Sequence, residues 1–158
     1  MENFLLQREL TISCSRTERG KHMQLGIRLH DIKKAPLEER LAIAKEQGFL
    51  CGHLALSKVI TEYPVDDGAL TPGCAMYLKK IFAKNDLDIA VLGCYLNLAN
   101  PDEGQLAKIT HRYLAHIRFA SLLGVGVVGT ETGAVNEAYK FEEKNHSDEA
   151  LDIFIQNV

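Results

Sequence analysis

No stretch of this 158-residue sequence approaches the run of about 20 apolar residues that a membrane-spanning helix needs. The opening Phe4, Leu5 and Leu6 are soon followed by Arg8 and Glu9, which leaves neither a long apolar segment nor a small-residue cleavage site for export. Cysteine is sparse. Cys14, Cys51, Cys74 and Cys94 are widely spaced with no C-x-x-C pair, which argues against both a zinc-spaced set and a disulfide framework. Buried, reduced thiols in a cytoplasmic protein are expected instead. Basic charge is not in excess either: a formal net charge of -3 and a pI near 6.1 give no cationic field for a phosphate backbone, so nucleic acid is not an expected partner. The P-loop, the G-x-S-x-G elbow and H-E-x-x-H are all missing. Gly124, Gly126 and Gly129 have the G-x-G-x-x-G spacing, but they close a helical segment and enter a strand. A dinucleotide fingerprint must follow a strand and open a helix, so that reading is rejected.

What is present is the composition of one ordinary globular domain, with 46% hydrophobic and 25% charged residues. From Met23 onward short apolar runs alternate with helix-period segments, the pattern of βα units on a parallel sheet. The first strand spans Gln24 to Leu29, with Leu25, Ile27 and Leu29 on one face and Gly26, Arg28 and His30 on the other. Pro36 fits the first position of a helix, Leu37, Leu41 and Ala44 follow at helical spacing, and Gly48 supplies a left-handed end. The second strand is expected at Gly52 to Leu56. After a long loop, Thr71 and Pro72 read as an N-cap and N1 proline, with Met76, Ile81 and Phe82 on the buried side of a helix ending near Lys84.

Ile89 to Leu98 is the third strand, apolar enough to suggest burial on both faces. Asn100 and Pro101 repeat the cap-plus-proline start. Leu106, Ile109, Tyr113, Ile117 and Ala120 then trace a stripe on a helix that Gly124 terminates. The fourth strand runs from Gly126 to Thr130, and Ser147 caps a last helix with Asp148 and Glu149 in its first turn and Leu151, Phe154, Ile155 and Val158 at helical spacing. Residues 1–22 fit none of this; they read as an N-terminal extension, an extra edge strand at Glu9 to Cys14, or a mis-assigned translation start.

Four segments, Met23 to His30, Ala44 to Phe49, Leu92 to Asn97 and Val127 to Gly133, together resemble the xylose isomerase-like barrel superfamily, which holds sugar phosphate isomerases and epimerases and the apurinic endonucleases. The resemblance covers residues 23–158 and implies four parallel βα units, the N-terminal half of a (β/α)₈ TIM barrel. It further implies a rim that binds a small sugar or sugar phosphate and a divalent metal such as Mn, Mg, Co or Zn. In that family two carboxylates move a proton on carbon, and they and the metal ligands lie mostly on strands five to eight. The function expected is therefore a metal-dependent sugar isomerase or epimerase, incomplete in this chain. A non-catalytic oligomeric half-barrel or binding module is the alternative, and an apurinic nuclease is disfavoured by the acidic charge.

Among rim positions, Glu131 follows an apolar strand with Val127 and Gly129 on its face, so it is the carboxylate placed to meet a sugar hydroxyl or a metal. Thr132 adjoins it. His30 ends the first strand and Asn97 lies late in the third; both are placed to bond a substrate. Asn97 can otherwise bond its own backbone, and His30 and Glu131 can otherwise be surface residues. His53 is expected to be a satisfied core histidine, Arg28 to fill the lower interior or pair with a carboxylate, and His111 and His116 to lie on the surface, with His22 and His146 in loops. A half-barrel exposes sheet edges and an apolar interior face, so pairing as a homodimer is expected. A flavodoxin-like open sheet is the structural runner-up.

Overall fold

The computed structural model describes residues 23–158; the strand expected at Glu9 to Cys14, with Cys14 itself, and His22 lie outside the described residues. Strands β1 (Gly26–Arg28), β2 (Cys51–Ala55), β3 (Asp88–Gly93) and β4 (Val128–Gly129) form one sheet in the order β1-β2-β3-β4, and every neighbouring pair is parallel. Parallel neighbours need crossovers. Helix α1 (Leu37–Glu46) joins β1 to β2, α2 (Leu56–Val59) and α3 (Pro72–Lys84) lie between β2 and β3, α4 (Glu103–Leu123) joins β3 to β4, and α5 (Asp148–Asn157) follows. The expected α/β repeat is therefore present. Strand order never reverses, so the described strands form no switch point of the kind at which a flavodoxin-like sheet binds its ligand.

The core lies on one face of this sheet. Leu29, Leu54 and Leu92 are fully buried, and they pack in a single cluster with Leu37 and Leu41 of α1, Leu78 and Phe82 of α3, and Phe119 and Leu123 of α4. The register Arg28–His53–Val91 runs across the opposite face, where Arg28 is exposed and the other two are half-buried. The end signals of the helices act as expected. Thr71 Oγ1 accepts the Cys74 N–H at 3.2 Å, Ser147 Oγ accepts the Ala150 N–H at 3.2 Å, and Gly48 and Gly124 adopt φ of 84° and 76°.

Several boundaries differ from the expectation. β3 stops at Gly93 because β4 offers only two residues: Leu92 and Gly93 pair with Val128 and Gly129, and Cys94 N–H makes the last bond, to Gly129 O at 2.7 Å. Nor is β3 buried on both faces, since a bulge against Gly52 and His53 leaves Ala90 unpaired and exposed. Pro36 stands one residue before α1. Having no side-chain acceptor, it leaves the helix start to Glu62, whose Oε1 accepts the Leu37 N–H at 2.6 Å from the distant α2–α3 loop. Asp102, not Asn100, caps α4: its Oδ1 accepts the Gln105 N–H at 2.7 Å, while Asn100 Oδ1 accepts the Asp102 N–H at 2.9 Å. The buried side of α4 is His116, Phe119, Ala120 and Leu123, so His116 is a core residue and Ile117 is exposed. Met76 also faces outward, because Ala75, Leu78, Ile81 and Phe82 carry the buried stripe of α3. Among the described residues no helix is long and apolar enough to cross a membrane.

Candidate ligand site at the carboxyl ends of the strands

Parallel strands bring their carboxyl ends to one edge, and three rings from three successive strands meet there. His30 follows β1, His53 lies within β2, and Tyr95 stands two residues past β3. The His30 and His53 ring centroids are 5.5 Å apart, Tyr95 lies 6.2 Å from His30 and 5.7 Å from His53, and the Tyr95 hydroxyl is 3.0 Å from His53 Nε2. Local structure sets each ring. A 3₁₀ turn at Leu29–Asp31, anchored by fully buried Leu29, swings His30 over the edge. Buried Arg40 holds that turn by donating to Leu29 O at 3.1 Å and to Ala35 O at 2.8 Å. Gly93 makes room for His53: a Cβ there would collide with His53 Nε2 and press on Tyr95 at 3.2 Å.

Arg28 fixes the tautomer of His30. Its Nη2 and Nε lie 2.7 and 3.1 Å from His30 Nε2, and a guanidinium only donates, so Nε2 carries the lone pair. A neutral imidazole then carries its hydrogen on Nδ1, which is buried and has no hydrogen-bond partner among the described residues. Burial, followed by the charge of Arg28, holds the His30 pKa below its ordinary value, with Asp31 opposing. Burial, then His30 and Arg28, lowers that of His53. Both rings are neutral at neutral pH. Lys58 Nζ sits 4.0 Å from the Tyr95 ring centroid, and Arg28 Nε lies 3.4 Å from Asp31 Oδ2.

The other positions singled out in the sequence lie apart from these rings in what they touch. Asn97 is buried with both ends of its amide engaged: Oδ1 accepts the Ala134 N–H at 2.7 Å and Nδ2 donates to Asn136 O at 3.1 Å. It therefore clamps the loop after β4. Glu131 is exposed and accepts the Tyr139 hydroxyl at 2.6 Å. Thr132 is exposed on a small cleft of about 180 Å³ that Ala99, Val135 and Ser147 also line. Of the four, only His30 belongs to the ring cluster.

His53 is not a core histidine: its ring is half-buried and its Nε2 faces a phenol. Arg28 does pair with a carboxylate, Asp31, but it lies at the carboxyl end of β1 rather than in a lower interior, because the strand ends at Arg28 itself. Tyr95 and Lys58 were not foreseen. Their signal was positional, each falling two or three residues beyond a strand end, where parallel neighbours converge.

Among the described residues no group of three or more His, Cys, Asp or Glu side chains is arranged to hold a metal ion. The donors at the rim explain why. His30 Nε2 is taken by Arg28, His53 Nε2 by Tyr95, and Glu131 by Tyr139, so the divalent ion implied by the family resemblance finds no ligand set in these residues. No protein-family model and no curated protein matches the chain.

Proposed function

We propose that this chain is part of a sugar isomerase/epimerase-type (β/α)₈ barrel of the xylose isomerase-like kind, and that its described residues bind a polyhydroxylated ligand. The observation that carries the reading is the convergence of His30, His53 and Tyr95, from three successive parallel strands, on one rim. Two features of the fold support the barrel: an unreversed strand order, and long helices α1, α3 and α4 packed on a single sheet face, which leaves the Arg28–His53–Val91 face for an interior. The chemistry supports the ligand. Imidazole and phenol rings offer flat apolar faces for C–H surfaces together with donors and acceptors for hydroxyls.

Proton transfer on carbon is not assigned to these residues. In the family that the sequence resembles two carboxylates carry that step, and this rim supplies Asp31, paired with Arg28, and Glu131, bonded to Tyr139. In the barrel proposed here that task falls to other strands. The test is a titration with a panel of sugars and sugar phosphates, read on the ring signals of each histidine by NMR. His30 and His53 shift together and saturate, while His111, exposed on α4, stays silent. Silence of both rim histidines towards every member of the panel would overturn the reading.

A further inference from the structure

The groups around the three rings are mostly cationic. Arg28 bonds His30, Lys58 lies over Tyr95, and buried Arg40 braces the turn between them, against Asp31 as the one carboxylate in contact with this set among the described residues. Lys58 has no carboxylate within ion-pair distance among the described residues, and Arg28 divides its guanidinium between His30 and the single carboxylate Asp31. Such a charge excess suits an acceptor-only ligand group better than a hydroxyl, because each cation then makes a charge-assisted bond.

Resting on the ligand-binding reading above, we propose that the ligand carries an anionic group, a phosphate or a carboxylate, taken up by Arg28 and Lys58, and that His30 changes tautomer when it arrives. The change follows from the geometry. Arg28 is the donor that keeps the lone pair of His30 on Nε2, and this strands the hydrogen on buried Nδ1. When Arg28 turns to an anion, Nε2 loses its donor. The freed Nε2 then takes a proton from water, and the transient imidazolium gives up its Nδ1 proton to the hydroxide left behind. The ring ends neutral, the buried N–H is relieved, and a new donor points where Arg28 had been. His30 thus reads the presence of the anion without a change of charge, in a side chain that is 10% exposed.

The experiment uses the full chain with ¹⁵N-labelled histidine, whose nitrogen shifts separate the two tautomers. Inorganic phosphate, a neutral hexose, the corresponding hexose phosphate and the corresponding sugar acid are titrated at low and at high salt. The proposal expects phosphate and at least one anionic sugar to bind, to weaken as salt rises, and to move the His30 proton from Nδ1 to Nε2. Arg28→Gln or Lys58→Gln should each weaken anion binding by about tenfold and flatten its salt dependence. Preference between the phosphate and carboxylate arms identifies the group. Neutral hexose binding as tightly as its anionic relatives, or anions binding both variants as they bind the parent, would overturn the anion inference and leave the sugar site standing. Phosphate binding with the expected charge dependence but no sugar binding of any kind does the reverse.

Discussion

Asn97 and Ala134 are tied side chain to backbone across 37 residues, with Asn97 Oδ1 accepting the Ala134 N–H at 2.7 Å in a buried setting. Gly133 sits against the same amide with φ of 90°, and a Cβ at that position would come within 2.5 Å of Oδ1. Asn97→Ala leaves the Ala134 N–H buried without a partner, at a cost of about 1–3 kcal/mol. Asn97→Asp keeps the acceptor but forfeits the donor to Asn136 O, so it should fall between the two. Urea unfolding midpoints rank the three proteins. An alanine variant as stable as the parent would show that the clamp carries no weight.

Gly93→Ala addresses the ring cluster directly. The added methyl occupies the place of His53 Nε2, so the imidazole must leave the Tyr95 hydroxyl, and the strain costs about 1–3 kcal/mol. The expected result is an unchanged far-ultraviolet circular dichroism spectrum, a lower unfolding midpoint and a displaced His53 ring signal. Retention of the parent His53 shift would mean that the glycine is not what seats the ring.

The repeating βα pattern was legible because each helix carries its apolar stripe and its own end signals: Thr71, Ser147, Gly48 and Gly124 all act locally, within a few residues of where they stand. What was not legible depends on distant partners. Pro36 reads as the first residue of α1, but Glu62, which caps that helix, stands 25 residues beyond Leu37 and leaves no local signal. His116 stands five positions from His111, on a different helix face, and reads as a surface residue from that spacing alone; the bond from its Nδ1 to Arg112 O at 2.9 Å satisfies it in the core. At the site, His30 could be named from its place at a strand end. Tyr95 could not, since its importance comes from His53 and Lys58, 42 and 37 residues away.

Burial raises the thiol pKa of Cys51 and Cys74, and burial lifts that of Cys94 to about 11, with Arg112 opposing. Too little thiolate forms at Cys94 near neutral pH for it to react while the protein is folded. Alkylation with iodoacetamide followed by mass spectrometry should find Cys94 protected in the native protein and labelled in urea. Rapid native labelling of Cys94 would contradict its burial.

His116 supplies a pH dependence whose direction is set. Burial holds its pKa below the ordinary value, Arg112's charge adds to this, and the hydrogen bond to Arg112 O and the charge of Asp67 oppose it. In the unfolded chain the imidazole takes a proton near about pH 6.5, whereas the folded protein resists until lower pH. Between those two values the unfolded chain holds more protons, so stability is complete above about pH 6.5 and falls as pH falls through the window. His30 and His53 are lowered in the same direction and steepen the slope. Unfolding midpoints measured from about pH 7.5 down to about pH 5.5 should therefore decline, and His116→Leu should decline less steeply than the parent. Because the leucine variant cannot titrate at that position, parallel curves for the two proteins would exclude His116 as a source of the slope and leave it to the rim histidines.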